Sequence, residues 1–279
     1  TGFRRVLFRS ERFDGREDLA RRLAPYQAHT SFEAAALPDC IDDDDVPSLK
    51  LAGATITGEI SVIGAGFASY LHAANAKIGT NVTIKATRLG TQGKRDSVHA
   101  LYIDGATVGD TIFVIGSQLY GEAGLIGLSL NGELDITDSI FEAGRAGRGK
   151  GAAANLRSAA VGRLSMSNCR FAGRLALADL QVRNGFELTD VIGGFARLSA
   201  DASRTAIPKA EMAKPTAQSL IDLTGSRIGG RIGFNGCVLG DESDTDQCVL
   251  LISAAKVNGA IVLSREDTQS SRARDRKST

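Results

Sequence analysis

The sequence predicts an all-β fold: a right-handed parallel β-helix of about eight coils, ~22 residues each, behind a short helical N-terminal cap. Three observations carry this. Apolar residues recur every eleven positions. Within each unit they fall in pairs two residues apart, the spacing of a strand with one face turned inward. Every long interruption follows an even-numbered unit, so two units complete one turn and the interruptions leave from one corner.

The repeat is clearest at its start. Leu49, Leu51, Ala54 and Ile56 open the first unit. The same offsets then hold Ile60, Val62, Ala65 and Phe67, next Leu71, Ala73, Ala76 and Ile78, and next Val82, Ile84, Thr87 and Leu89. After an insertion the pattern resumes at Leu101 and runs to Phe141. A second insertion precedes a degenerate unit, in which Leu156, Ala159 and Val161 fit with a one-residue slip. Leu164 to Val191 restore the period, a third insertion covers about 200–218, and Ile221 to Leu239 follow. The acidic insertion GDESDTDQ separates these from Leu250 to Leu263. Odd units end in glycine-bearing turns such as KIGT and TVGD, read as corners that need glycine's backbone freedom. Eight coils at ~4.8 Å each give a rod of roughly 40 Å. An eleven-residue helical supercoil is the competing reading. Glycine in almost every unit and abundant β-branched residues argue against it.

The flanks differ from the repeat. Residues 1–10 end in RRVLFRS and residues 275–279 read DRKST; both resemble translated sequencing adapter on opposite strands, so the ends are expected to be foreign and to hide the native termini. Residues 11–48 are expected to form the helical cap, with Asp14 capping one short helix and Pro25 ending it. Asp42–Asp45 lack the alternation and distal glutamate of a calcium loop and read as a solvated turn. The β-helix is assigned to 49–264 and a polar, frayed tail to 265–279.

Composition narrows the function classes. Thirty-three basic and 32 acidic side chains give a net charge of +1, unlike a uniform polyanion or polycation. Aromatic content is 5% and tryptophan is absent, which suits a narrow interior of Ala, Val, Ile and Leu. Cys169 and Cys237 fall on the small inward offset and read as buried thiols, not as disulfide or metal ligands. Tight packing there leads us to expect that Cys237→Leu costs about 1–3 kcal/mol and Leu239→Ala about 2–5 kcal/mol.

In the second pair of each unit a small residue stands two before a large one, as in Ala54/Ile56, Ala65/Phe67, Ala106/Val108, Cys169/Phe171 and Cys237/Leu239. Together with phrases such as LTGSRIGGRIGFNGCVLG, this resembles the bacterial pentapeptide-repeat proteins over about 49–263, although the spacing alternates five and six. The resemblance implies a four-sided right-handed β-helix. A left-handed acyltransferase helix is excluded by its six-residue repeat.

No catalytic constellation stands out. GRAGRGK at 144–150 satisfies GxxxxGK, but Gly151 stands where a phosphate-binding loop needs Ser or Thr. His29, His72 and His99 share no ligand spacing. Glu59, Asp110 and Glu133 are read as preceding the same inward offset, on alternating sides of different coils, and Arg163 and Arg231 at related positions suggest mixed-charge ladders. The expectation is therefore a structural or protein-interaction module of a larger bacterial protein, not an enzyme, with no cofactor and no metal. A protein partner would meet Lys94, Arg95, Arg145, Arg148 and Lys150 in the insertions. No nucleic acid is expected; membrane association would need parts outside this sequence, and a cytoplasmic or membrane-peripheral place is favoured. The competing readings are a carbohydrate-active β-helix, which needs clustered carboxylates, and a DNA-mimicking topoisomerase inhibitor, a role some pentapeptide-repeat proteins have, which needs an acidic face.

Overall fold

The computed structural model describes the backbone of residues 3–8 and, with side chains, residues 47–90, 99–142, 151–193, 220–239 and 249–264. Among these every regular element is a strand, and the strands pair in parallel. The fold is a parallel β-helix, as the period requires.

Among the described residues the first seven coils have four sides and the eighth has three, and each side stacks on its counterpart in the next coil. The first side is an eight-stranded ladder whose inward residues are Leu49, Leu71, Leu101, Ala123, Ala154, Leu175, Ile221 and Leu250. Those eight rungs are the eight coils. The second side carries Ile56, Ile78, Val108, Leu130, Val161, Val182, Ile228 and Val257. The third carries Ile60, Val82, Ile112, Leu134, Leu164, Phe186, Ile232 and Ile261. One strand, Thr55–Ile63, runs unbroken round the corner between them and joins both sides into one 16-stranded sheet. The fourth side, seven-stranded, carries Phe67, Leu89, Leu119, Phe141, Phe171, Gly193 and Leu239.

The interior is a single apolar column filled by these residues and by the partners two positions on, such as Val62, Ile84 and Leu188, all fully buried. The degenerate unit is a deletion at one corner. Ala154 takes the first inward position, and only two residues separate Val161 from the next inward residue, Leu164. The N–H groups of Gly162 and Arg163 both donate to the Gly132 carbonyl, 2.8 and 3.3 Å, so the rung closes despite the missing residue.

The corners correct one expectation. The residue just before the small inward position adopts a left-handed backbone in both units of the coil. Glycine serves there at Gly116 and Gly127, but Asn75, Asp138, Asn168 and Asp190 serve equally, since short polar side chains tolerate that region. The glycines of KIGT and TVGD lie elsewhere and are required for a different reason. A Cβ on Gly79 would run into the Thr57 carbonyl of the preceding coil, and one on Gly109 into the Gly79 carbonyl. Close approach of stacked backbones, not a left-handed turn, selects glycine at that corner.

Polar side chains inside the column are satisfied by the ladder itself. Thr87, Ser117, Ser139 and Cys169 stack at the small position of successive even units. Ser117 Oγ donates to the Ile115 carbonyl, 3.0 Å, or the Ile84 carbonyl one coil back, 3.3 Å, and accepts the Thr87 N–H at 3.2 Å. Ser139 repeats the arrangement, accepting the Ser117 N–H at 3.1 Å. Burying these hydroxyls therefore leaves no unmet polar group, which would otherwise cost about 1–3 kcal/mol each.

The two ends differ. The expected helical cap at 11–48 lies outside the described residues except for its last two, and Leu49–Lys50 already belong to the first rung. Phe3–Phe8 form a strand that pairs in parallel with Thr55–Ile63, with Val6 opposite Ile60 and Phe8 opposite Val62. The segment read as foreign thus lies on the open first rung. At the other end Ile261–Ser264 is the last strand of the same sheet.

Candidate functional site

The insertions leave from one corner, as the parity of the units requires. Each departs from the fourth side, after Gly90, Glu142, Gly193 or Leu239, and returns to the first side at His99, Gly151, Leu220 or Val249. Lys94, Arg95, Arg145, Arg148 and Lys150 belong to these insertions and lie outside the described residues. What the structure describes is the rim from which they spring. A GxxxxGK loop must open a helix to cradle phosphate; 144–150 instead connects the strands Ile140–Glu142 and Ala152–Asn155.

Beside the exit of the first insertion stands a column of rings. His72 and Tyr102 occupy the same outward position on adjacent coils, with ring centroids 5.0 Å apart. His99 stacks on Tyr102 at 4.7 Å and 18° between planes, and Tyr70 lies 5.9 Å from His72. A strand repeats its outward side chains at the rung spacing, so planar groups at one offset must stack. Spacing along the chain hid this pair of histidines, because an insertion separates them. Aligning the outward offsets of the units, as was done for the inward ones, brings His72 and Tyr102 together. His29 lies outside the described residues.

Electrostatics around the column follow from burial. Partial burial, then Lys50 and His99, hold the His72 imidazole below its ordinary pKa. Burial raises the Asp104 carboxyl, although it accepts the Ile126 N–H at 2.8 Å. Glu122 accepts a hydrogen bond from Asn155 Nδ2 at 2.9 Å. Arg174, at the exit of the second insertion, has its pKa lowered by burial and by Arg157, and its buried Nε has no hydrogen-bond partner among the described residues.

Among the described residues Asp104 and Glu122 do not converge as a glycosidase pair does. Asp104 stands level with Ile126, four residues along the strand from Glu122, so the two backbone positions are about 13 Å apart. On the third side Glu133 and Glu187 are drawn into ion pairs. Arg163 Nε lies 3.7 Å from Glu133, and the same guanidinium pairs with Glu187. Arg231 Nε donates to Glu187 Oε1 at 2.7 Å. Hydrogen bonds from Arg231 and then Arg163 hold the Glu187 carboxyl below its ordinary range, against some desolvation. The mixed-charge ladder read from the sequence is therefore present, as Glu133–Arg163–Glu187–Arg231. Glu59 and Glu133 stand on one side of the helix in the column before Ile60 and Leu134, not on alternating sides. No group of three metal-ligating side chains occurs among the described residues.

The thiols face inward but are not equivalent. Cys169 is fully buried, with Sγ 3.1 Å from the Ser167 carbonyl and 3.3 Å from that of Ile136, and burial pushes its pKa up to about 12. Cys237 is only half-buried. Its Sγ points to the Leu188 carbonyl at 3.4 Å, and with Phe234, Leu239, Leu250 and Leu263 it lines an apolar cavity of about 460 Å³ at the last rungs. A larger side chain at Cys237 would face this space, whereas Cys169 is closed in on all sides.

No helix among the described residues is long and apolar enough to cross a membrane. Comparison with protein-family models, with curated proteins and with solved structures gives no match to this chain.

Proposed function

We propose that this chain is a scaffold and protein-interaction module of a larger bacterial protein, pentapeptide-repeat-like in build and without catalytic activity of its own. The observation that carries this is the single corner from which the insertions leave. A stiff column of hydrogen-bonded rungs roots those loops along one corner, the first three two rungs apart and the last one rung further on. The rim supports the same reading. Tyr70, Tyr102, His72 and His99 present large, rotamer-poor side chains on the side of the helix that carries Arg157 and Arg174 two to four coils further on, residue types in which binding energy concentrates at protein interfaces. The basic residues Arg145, Arg148 and Lys150 of the second insertion favour an acidic protein partner. Mixed charge on the third side speaks against an acidic, DNA-mimicking face.

Site-specific photo-crosslinking tests the proposal. A photoreactive residue at Ala146, in the second insertion, should capture one discrete partner from the host cell extract. The same probe at Ser165, outward on the third side, should capture none. Changing Arg145, Arg148 and Lys150 together to alanine should reduce the adduct at least tenfold. Equal capture from Ser165, or an adduct indifferent to the three substitutions, overturns the proposal.

A further inference from the structure

Charge is not spread evenly around the rod. The outward positions of the second side carry no carboxylate in any of the eight coils. From the fifth coil onward, cations gather on both flanks of the corner where the second side turns into the third. Arg183, Arg227 and Lys256 stand on one flank, Arg163 and Arg231 on the other, and all five are exposed. Each of these four successive coils contributes at least one. Among the described residues Glu187 is the one carboxylate that the two sides present there.

The corner between the flanks carries little bulk. A Cβ on Gly229 would run into the Arg183 carbonyl, and one on Gly230 into that of Asn184. Stacked backbones therefore demand glycine, and outside the corner is a shallow track between two rows of cations. The Arg183 guanidinium donates to the Leu130 carbonyl at 3.3 Å and to that of Asn131, which lays this cation back across Gly162. Within the strip one carboxylate is already held: Glu187 sits between Arg163 and Arg231, with Arg231 Nε donating at 2.7 Å. One coil on, the position of Glu187 is Gly233, and no internal carboxylate follows it. Arg227 and Lys256 are neighbours in the ladder, and neither makes an ion pair among the described residues.

We infer that this corner is a docking track for a linear acidic polysaccharide with a carboxylate on each sugar, lying along the rod axis. The cations recur at the rung spacing, ~4.8 Å, close to the advance of an extended glycan per sugar. Guanidiniums take carboxylates through paired, charge-assisted hydrogen bonds, as Arg163 and Arg231 take Glu187. A planar anionic membrane meets one side at a time, whereas these cations flank a corner. A single-stranded nucleic acid needs rings on which its bases stack, and no aromatic side chain faces outward on these two sides from the fifth coil onward among the described residues. The track lies diagonally across the helix from the corner that releases the insertions, so it stands or falls independently of the protein partner proposed above.

The test uses the full chain and a fluorescein-labelled oligogalacturonate as probe. Fluorescence anisotropy should show saturable binding that is lost at ~1 M salt, where screening reaches ~3 Å. Unlabelled oligogalacturonate should compete, and a neutral malto-oligosaccharide of the same length should not. Arg227→Glu with Lys256→Glu, at exposed outward positions, should weaken binding at least tenfold with an unchanged circular dichroism spectrum. The milder pair Arg227→Gln with Lys256→Gln should weaken it in the same direction. Changing Arg145, Arg148 and Lys150 to alanine should leave it as it was. Absence of saturable binding, equal binding by both Arg227 and Lys256 double variants, loss on changing the three insertion residues, or tighter binding of an oligothymidylate or of phosphatidylserine vesicles would each overturn the inference.

Discussion

Cys169→Leu and Cys237→Leu make the same chemical change at the same repeat offset and should have opposite consequences. Cys169 is sealed between the coils carrying Ser139 and Val191, and its Sγ already contacts two carbonyls. Leucine there must push into a column packed at crystal-like density. The expected cost is about 1–3 kcal/mol. Cys237 borders the 460 Å³ apolar cavity. Leucine there extends into open apolar space, and each methylene it buries is worth up to about 0.8 kcal/mol. The expected change is between zero and about 1.5 kcal/mol of stabilisation, so the two variants should differ by roughly 1–4.5 kcal/mol. Urea unfolding followed by circular dichroism gives the difference as a shift in midpoint at constant slope. Thiol labelling of the native chain, with Cys40 and Cys248 changed to serine, supplies a second readout, and Cys237 should react before Cys169. If Cys237→Leu costs as much as Cys169→Leu, the last rungs are closed and the cavity argument is wrong.

Three other outcomes follow from particular contacts. Gly127 has a left-handed backbone with open space around its Cα. Gly127→Ala should therefore cost about 1–2 kcal/mol from strain alone, and Gly127→Asn clearly less; equal costs in urea unfolding would point to a steric cause. At Gly193 the reverse holds, because a Cβ would enter the space of the Phe171 ring one coil back. Gly193→Ala should cost about 1–3 kcal/mol, and Phe171→Leu in the same chain should recover part of it; a strictly additive double variant refutes the clash. The Glu187 carboxyl is lowered in the fold by Arg231 and Arg163, so its contribution is present above the unfolded carboxylate pKa and is lost as pH falls through the folded value. A double-mutant cycle of Glu187→Gln with Arg231→Met should give a coupling of about 0.2–1 kcal/mol at pH 7 that shrinks in acid and in high salt; a coupling unchanged at pH 2 would exclude an ionic origin.

Much of the fold was legible because one side of every strand must be buried and the period of that burial is written in the residues. The inward column from Ile56 to Ile232 is where the elevenfold pattern puts it. What remained illegible depended on relations between coils. Gly79 and Gly109 are glycines because of a carbonyl in the coil below, a neighbour that sequence proximity does not reveal. Gly193 occupies a large-residue position because Phe171 already fills that space. The ring column is the same kind of fact: His72 and His99 are far apart along the chain, and an insertion hides their common rung geometry. Cys237 shows a further limit. The repeat assigns its direction correctly, but it cannot say that an apolar cavity borders it.

That limit has a physical origin with functional weight. In a solenoid the interior environment of a residue is set by the coils on either side of it, so identical offsets are energetically equivalent only away from the ends. Mid-rod positions such as Leu134 and Leu164 are fixed by packing and leave little room for a binding role. Freedom to bind concentrates where the translational symmetry breaks, as at the one corner that releases the insertions. The same rule explains why the residues of an interaction site are hard to read from the repeat. The repeat reports what every coil shares, whereas recognition depends on the positions at which one coil differs from its neighbours.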